Sequence, residues 1–317
     1  MSRGPISFQR PPYFGAARGH PMKAQTLSGA YSPVPRVLPD LPSTMTIISW
    51  NVNFMAPIVE RLRCALEHMR CIVLRSPPLY PHPCCILLQE VTGAGFQTLL
   101  STDWIQTYFS VIPQSEATDE NGYGCVTLIS NNIPLIGAWS LPFPSEMSRS
   151  AILTDLLFAS GLGRPPVNVR LANVHLESLS SGAGARAVQL NLTAERLRDV
   201  GVDFGIVGGD MNAISDSDMA LPEACGLVDS WKGANYDESG FTWGYQPTSR
   251  FLPGRLDKIC HTHSFNFTLD VPHRIGVNLK TPTGRWVSDH YGLVTDFRID
   301  GSYEAASRLI PPFHYYR

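Results

Sequence analysis

Six apolar runs end in residues able to do polar chemistry, at points where a side chain can leave a core and enter a cleft. ISWNVNF puts Asn51 and then Asn53 after Trp50, ILLQEV puts Glu90 after Leu88, and VNVRLANVHLES puts His175 after Val174. GIVGGDMN supplies Asp210 and Asn212, RLDKIC supplies Asp257, and WVSDHYGL supplies Asp289 and His290. A carboxylate such as Glu90, following Ile86, Leu87 and Leu88, must be paired, hydrated or metal-bound if it stays near a core. Asp210 and Asn212, two apart on an extended chain, face one side and present an acceptor and an amide to a single ligand. Asp257 lies between apolar neighbours and suits a buried orienting carboxylate, with a structural pairing to Arg255 or Lys258 as the alternative.

Each residue alone also has a plainer explanation. Asn51 can satisfy a strand end or turn, and His175 can be a hydrogen-bonded core histidine beside a solvated Glu177. The GGDMN segment can be an Asx-type turn into the Ser215 to Asp218 loop. Asp289 and His290 are adjacent, so on an extended chain they face opposite ways and cannot both be idle core groups.

These residues need strands to carry them. Short β-rich runs read as strands at Thr46 to Trp50, Cys85 to Val91, Cys125 to Ser130, Ala151 to Phe158, Val167 to Leu176, Phe204 to Gly208, Leu256 to Cys260 and Tyr291 to Arg298. Helical periodicity marks Ile58 to Leu74, opened by Pro57, and Arg186 to Val200, with Leu190, Ala194 and Leu197 on one face. Many strands and few helices predict packed sheets flanked by helices.

The 317 residues are 44% hydrophobic and 16% charged, which excludes a disordered or coiled-coil chain. Residues 1–44 differ: eight prolines, five Lys or Arg and the lone acid Asp40 read as an extended basic tail, with a mitochondrial presequence as the alternative. One domain over residues 45–300 and a C-terminal tail over 301–317 complete the expected organisation. With 25 Lys plus Arg against 27 Asp plus Glu, no partner is recognised mainly through a strong global positive field. Seven scattered cysteines without a CxxC pair suit free thiols in a reducing intracellular compartment, nuclear or cytoplasmic. No run reaches the length of a membrane helix, and a membrane partner is not expected.

The order N…E…H…GDxN…RxDxI…SDH resembles the endonuclease/exonuclease/phosphatase superfamily, the DNase I-like phosphodiesterases, from Ile47 to about Ile299. SWN, LQEV, HLES, GDMN, FTW (Phe241 to Trp243) and SDHYGL are closest to the wording of its 5′-tyrosyl-DNA phosphodiesterase branch. The resemblance implies an α/β (α+β) four-layered sandwich, two mixed β-sheets face to face with helices outside, and a Mg²⁺-dependent site that Mn²⁺ could also serve. It implies that Glu90 holds the metal with Asp289 as ligand or through water. It implies further that Asp210 and Asn212 orient and deprotonate water, that Asn51, His175 and His290 bind phosphate oxygens, and that Asp257 orients His290. A monomer acting on DNA 5′ ends with a tyrosyl or peptide adduct is then expected, with hydrolysis of the phosphodiester left by trapped topoisomerase II as the activity. The alternatives are apurinic DNA, RNA or a phospholipid headgroup as substrate, or a degenerate DNA-end-binding protein.

Physics supports that division of labour, because an anionic phosphodiester repels hydroxide until a cation and hydrogen-bond donors neutralise it. Two departures stand out. Asn53 occupies the place of a family carboxylate, and Ile214 that of a family Arg after GDxN. Arg149 in MSRS falls where the family has another phosphate-facing Arg, with a plain surface charge as the alternative. Trp243 and Leu256 could line an apolar wall for a single-stranded end, and Tyr123 in NGYG could reach the same cleft.

Overall fold

The computed structural model describes residues 20–21, 25–26, 41–74, 81–114, 122–161, 164–234, 237–264 and 266–300. In chain order the strands and helices are β1 (His20–Pro21), β2 (Gln25–Thr26), β3 (Thr44–Asn51), α1 (Ile58–Val73), β4 (Cys84–Thr92), α2 (Gly93–Leu100), α3 (Asp103–Tyr108), β5 (Phe109–Ile112), β6 (Tyr123–Ser130), β7 (Leu135–Pro142) and β8 (Ser150–Phe158). Then come β9 (Val167–His175), α4 (Ala183–Arg196), β10 (Phe204–Asp210), α5 (Asp216–Met219), α6 (Leu221–Ala224), β11 (Leu227–Asp229), β12 (Asp257–Thr262), β13 (Phe267–Leu269), β14 (His273–Ile275) and β15 (Gly292–Ile299).

Two mixed sheets result. One runs β1-β7-β8-β9-β10-β12-β11; the other runs β13-β15-β3-β4-β6-β5-β2, with β14 also on β15. The segment expected as a structureless tail therefore contributes two short edge pairings, β1 on β7 and β2 on β5. The C-terminal tail, 301–317, lies outside the described residues.

Alternation along the strands sorts the core into layers. Ile47, Leu87, Ile206, Ile259 and Phe297 meet between the sheets. Ile48, Trp50, Ile86 and Leu88 face outward onto Leu62, Leu66 and Met69 of α1. On the other sheet Val174 and Val207 pack against Leu190 and Ala194 of α4 and Leu197 at its C-terminal end. Helix, sheet, sheet and helix thus form the four layers expected. Among the described residues no helix is long and apolar enough to cross a membrane.

Register brings the polar strand ends together. Parallel pairing aligns Asn51 of β3 with Gln89 of β4, and His175 of β9 with Asp210 of β10. Antiparallel β12 starts with Asp257 opposite Asp210, and β15 begins directly after Asp289, His290 and Tyr291. Gly209 makes the approach possible, since a Cβ there would stand 1.9 Å from the Val174 carbonyl oxygen. Behind the site the sheets are tied by a buried amide pair, Gln89 Nε2 donating to Asn173 Oδ1 at 2.9 Å.

Candidate active site

Asn51 is the hinge of the cluster. Fully buried, it donates its Nδ2 protons to Glu90 Oε1 and to Asp210 Oδ2, each at 3.0 Å. A register shift in β4 between Leu88 and Val91, with Glu90 at φ 60°, turns that carboxylate off the strand. Left-handed backbone is unfavourable for Glu, and such outliers persist where packing and function hold them. The second Glu90 oxygen receives the Phe54 backbone N–H at 3.0 Å. Burial raises the Glu90 carboxyl pKa, outweighing the Asn51 and Phe54 hydrogen bonds.

On the other sheet, His175 faces Asp210 with Nε2 at 3.5 Å from Oδ2. Its Nδ1 lies 3.0 Å from Arg149 Nη1. Arginine can only donate, so Nδ1 is the acceptor and Nε2 carries the proton, aimed at Asp210. Burial, helped by the Arg149 and His290 charges, drives the His175 pKa well below its ordinary value, keeping the ring neutral. Arg149 is buried rather than a surface charge, and also donates to the Tyr123 hydroxyl at 3.1 Å and to Ser178 Oγ at 3.3 Å. Tyr123 stacks on Phe54 at 4.6 Å between centroids, so the NGYG turn does reach the site. Glu177 is not solvated: it accepts from the Glu146 N–H at 3.1 Å and from Gln189 Nε2 at 3.0 Å, holding the loop that carries Arg149. The HLES motif is therefore a platform for one arginine. Ser178, with no apolar pattern to mark it, is the member that sequence reasoning did not single out.

His290 approaches from the opposite side. Its Nδ1 lies 2.8 Å from Asp257 Oδ2 and its Nε2 3.8 Å from Asp210 Oδ2. Burial works against a charged imidazole here, but the Asp257, Asp210 and Asp289 carboxylates together raise the His290 pKa well above its ordinary value. Asp257 is fixed through its backbone N–H, which donates to Thr242 Oγ1 of the FTW segment at 3.1 Å. The alternative partners expected for Asp257, Arg255 and Lys258, both pair with Asp229 instead.

At the mouth, Asn53 Nδ2 donates to Asp289 Oδ1 at 2.7 Å and Trp243 Nε1 donates to Asp289 Oδ2 at 3.2 Å. Trp243 is half-buried, while Leu256 is 9% exposed, leaving it little surface for a cleft wall. Ile214 stays at the surface. Asn212 does not repeat the direction of Asp210 by simple alternation, because its φ is 47°. Its backbone N–H donates to Asp210 Oδ1 at 2.9 Å, and its Nδ2 is spent on the Leu176 carbonyl at 3.0 Å. Asn212 thus supports Asp210 rather than standing beside it as an equal.

A family model described as Endonuclease/Exonuclease/phosphatase family matches residues 48–290, the span from β3 through His290. The chain belongs to that family. Tyrosyl-DNA phosphodiesterase 2 of Xenopus laevis is 24% identical over 275 residues, 81% of this chain and 67% of the relative. A crystal structure of humanized D. rerio TDP2 with 14 mutations superposes with a TM-score of 0.65 at 21% identity, over 81% of this chain and 99% of that one. D. rerio TDP2 complexed with a single-strand DNA product gives 0.64 at 20% identity, over 81% and 99%. The four-layered architecture is that of the DNase I-like fold.

For an endonuclease/exonuclease/phosphatase member the donor set fits a hard cation. Glu90 and Asp289 offer oxygens, and among the described residues no Lys or Arg forms an ion pair with either. One grouping of ligand-type atoms, all within 4.8 Å of each other, is Asp210, Asp257 and His290. In the metal-free protein the Asp257–His290 contact is a proton-bearing hydrogen bond and the surrounding carboxylates raise the His290 pKa, an arrangement for holding and passing a proton. That trio suits proton handling, and Glu90 suits the metal.

Proposed function

We propose that this protein is a Mg²⁺-dependent phosphodiesterase that hydrolyses the 5′-phosphotyrosyl bond joining a protein tyrosine, as left by trapped topoisomerase II, to DNA. The observation that carries the hydrolytic reading is Asn51 Nδ2 bridging Glu90 and Asp210 at 3.0 Å each, with two imidazoles facing Asp210 from opposite sides. The substrate reading draws on the similarity to proteins named Tyrosyl-DNA phosphodiesterase 2, one of them solved with a single-strand DNA product.

Asp210 is the base. Burial pushes its carboxyl up to about 7, against the pull of the His290 charge, so near neutral pH it can take a proton from water held beside it. Neutral His175 donates through Nε2–H, and charged His290 donates through Nε2–H, toward the nonbridging oxygens where charge accumulates. Arg149 fixes the His175 tautomer, and Asp257 fixes and charges His290. Glu90 would hold Mg²⁺, which would supply Lewis-acid neutralisation of the phosphate. A tyrosine phenolate, with a pKa of about 10, leaves without a strong general acid. Seven cysteines, none of them in a disulfide, support an intracellular setting.

Side-by-side turnover of a 5′-tyrosyl oligonucleotide, an apurinic duplex, a polyadenylate and an inositol phospholipid tests this reading. Tyrosine release is expected to exceed the other reactions by at least about 100-fold, a discrimination available to a site shaped for one leaving group. Equal or faster cleavage of another substrate would displace the tyrosyl assignment within the same family.

A further inference from the structure

We propose that Trp231 is a positioning residue for the Asp257–His290 pair, acting through a buried water that its indole N–H shares with the second carboxylate oxygen of Asp257. The inference deepens the hydrolytic reading, on which its kinetic test rests. Asp257 Oδ2 is taken by His290 Nδ1 at 2.8 Å, but Oδ1, on a residue 1% exposed, makes no hydrogen bond among the described residues. A carboxylate oxygen buried without a donor is unfavourable, so this position selects a group that can donate to it.

A narrow cavity lies beneath the loop that follows β11. Its lining includes Asp229, Trp231, Arg255, Asp257, Lys258 and Arg274, and it has room for about one water. Two more buried atoms that make no hydrogen bond among the described residues belong to this lining, Trp231 Nε1 and Arg255 Nε. Both can only donate. Arg255 is held in place because its two Nη atoms are spent on Asp229, at 3.0 and 2.6 Å. The indole is equally confined: a Cβ on Gly233 would stand 2.7 Å from its Nε1, and one on Gly240 2.7 Å from its Cε2. Its backbone N–H also donates to Asp229 Oδ1 at 3.1 Å.

Charge selects the ligand. An anion would meet the Asp257 carboxylate, and a cation would meet Arg255, Lys258 and Arg274. A neutral molecule that accepts from the indole and the guanidinium and donates to the carboxylate satisfies all three, and a buried water does so with its usual complement of about three hydrogen bonds. Asp257 is then held at three points: its backbone N–H on Thr242 Oγ1 at 3.1 Å, Oδ2 on His290, and Oδ1 on the water. The carboxylate plane cannot turn away from His290, whose Nε2 stays aimed toward Asp210. Trp231 thus bears on the reacting centre without touching it.

High-resolution crystallography of the full chain, together with steady-state kinetics of Trp231→Phe, tests the assignment. Phenylalanine keeps an aromatic ring between the two glycines and removes the donor. Density for a water within hydrogen-bond reach of both Trp231 Nε1 and Asp257 Oδ1 is expected. In Trp231→Phe, kcat should fall about tenfold while KM stays within about twofold, the split of a group that orients rather than binds. Density for an ion, or none bridging those two atoms, overturns the proposal; so does a folded Trp231→Phe with wild-type kcat or with its loss confined to KM. Should Trp231→Phe fail a thermal-melt check, the wild-type density decides alone. Kinetics are taken on whichever of the four phosphoester substrates is cleaved fastest, so failure on tyrosyl DNA displaces the substrate reading and leaves this one standing. A wild type that cleaves none of them sinks the hydrolytic reading, and the density alone then decides the water site.

Discussion

Asp210 receives Asn51, Asn212 and the Nε2 edges of two imidazoles while excluded from solvent, and each contact follows from where a strand ends. Replacing its carboxylate by an amide keeps the shape and removes the base. Asp210→Asn should therefore lower kcat by about 10² to 10⁴ while KM moves little, read from steady-state kinetics. Glu90 gives a pH dependence of known sign. Burial raises its carboxyl pKa in the metal-free protein, so Mg²⁺ must compete with a proton as the pH falls through that raised value. Calorimetry at pH 5 and pH 7 in buffers of different ionisation enthalpy should show weaker binding and more proton release at the lower pH; equal affinity at both would count against Glu90 as ligand. Of these residues, Asn51, Glu90, His175, Asp210, Asp257 and His290 were legible in the sequence, because each follows or opens an apolar strand. Ser178 and the holding role of Glu177 were harder to see, since they act only around the Arg149 side chain and its loop, which no local pattern encodes.

The loops between elements are secured by buried ion pairs. Arg186 of α4 makes a two-pronged contact with Asp218 of α5, each prong 2.8 Å, and also donates to the Glu177 and Leu179 carbonyls. One side chain thus ties the HLES loop to the segment after GDMN. Arg186→Ala strands a buried carboxylate and should cost about 3–5 kcal/mol in denaturant unfolding. Burial opposes charge on Asp218, but the Arg186 and Ser215 hydrogen bonds prevail and hold its pKa below the usual range. The sign follows: stability from this pair is complete above the unfolded carboxyl value near 4 and is lost as the pH falls through the depressed folded value. Unfolding midpoints between pH 2.5 and pH 7 should show that acid loss in the wild type and a smaller one in Arg186→Ala. The eight strands and two helices expected from periodicity lie within a few residues of β3, β4, β6, β8, β9, β10, β12, β15, α1 and α4. Missing from that set were β1, β2, β5, β7, β11, β13 and β14, which are short or interrupted by Gly and Pro, the short helices α3, α5 and α6, and α2, whose GAGFQTLL opens like a turn. Their stability comes from neighbouring strands and helices rather than from local preference.

At the scale of the whole molecule, two sheets packed face to face carry carboxylates from four strands or strand ends to one edge, and Gln89–Asn173 locks their relative height. The formal charge of −2 excludes a partner held mainly by a strong global positive field. In the folded protein several of the acids are committed to the site, where a bound cation would offset them and Arg149 backs His175. Recognition then depends on that local balance, and KM for a DNA substrate should depend on salt less steeply than for a protein with a basic groove. Hydrolysis of a 5′-tyrosyl single-stranded oligonucleotide by the full chain, with Mg²⁺ and then with excess chelator, tests fold, metal and substrate together. Tyrosine should be released with Mg²⁺, stop with chelator, and be lost in Glu90→Gln; an intact tyrosyl oligonucleotide under Mg²⁺, or release that survives both chelator and Glu90→Gln, would contradict the assignment.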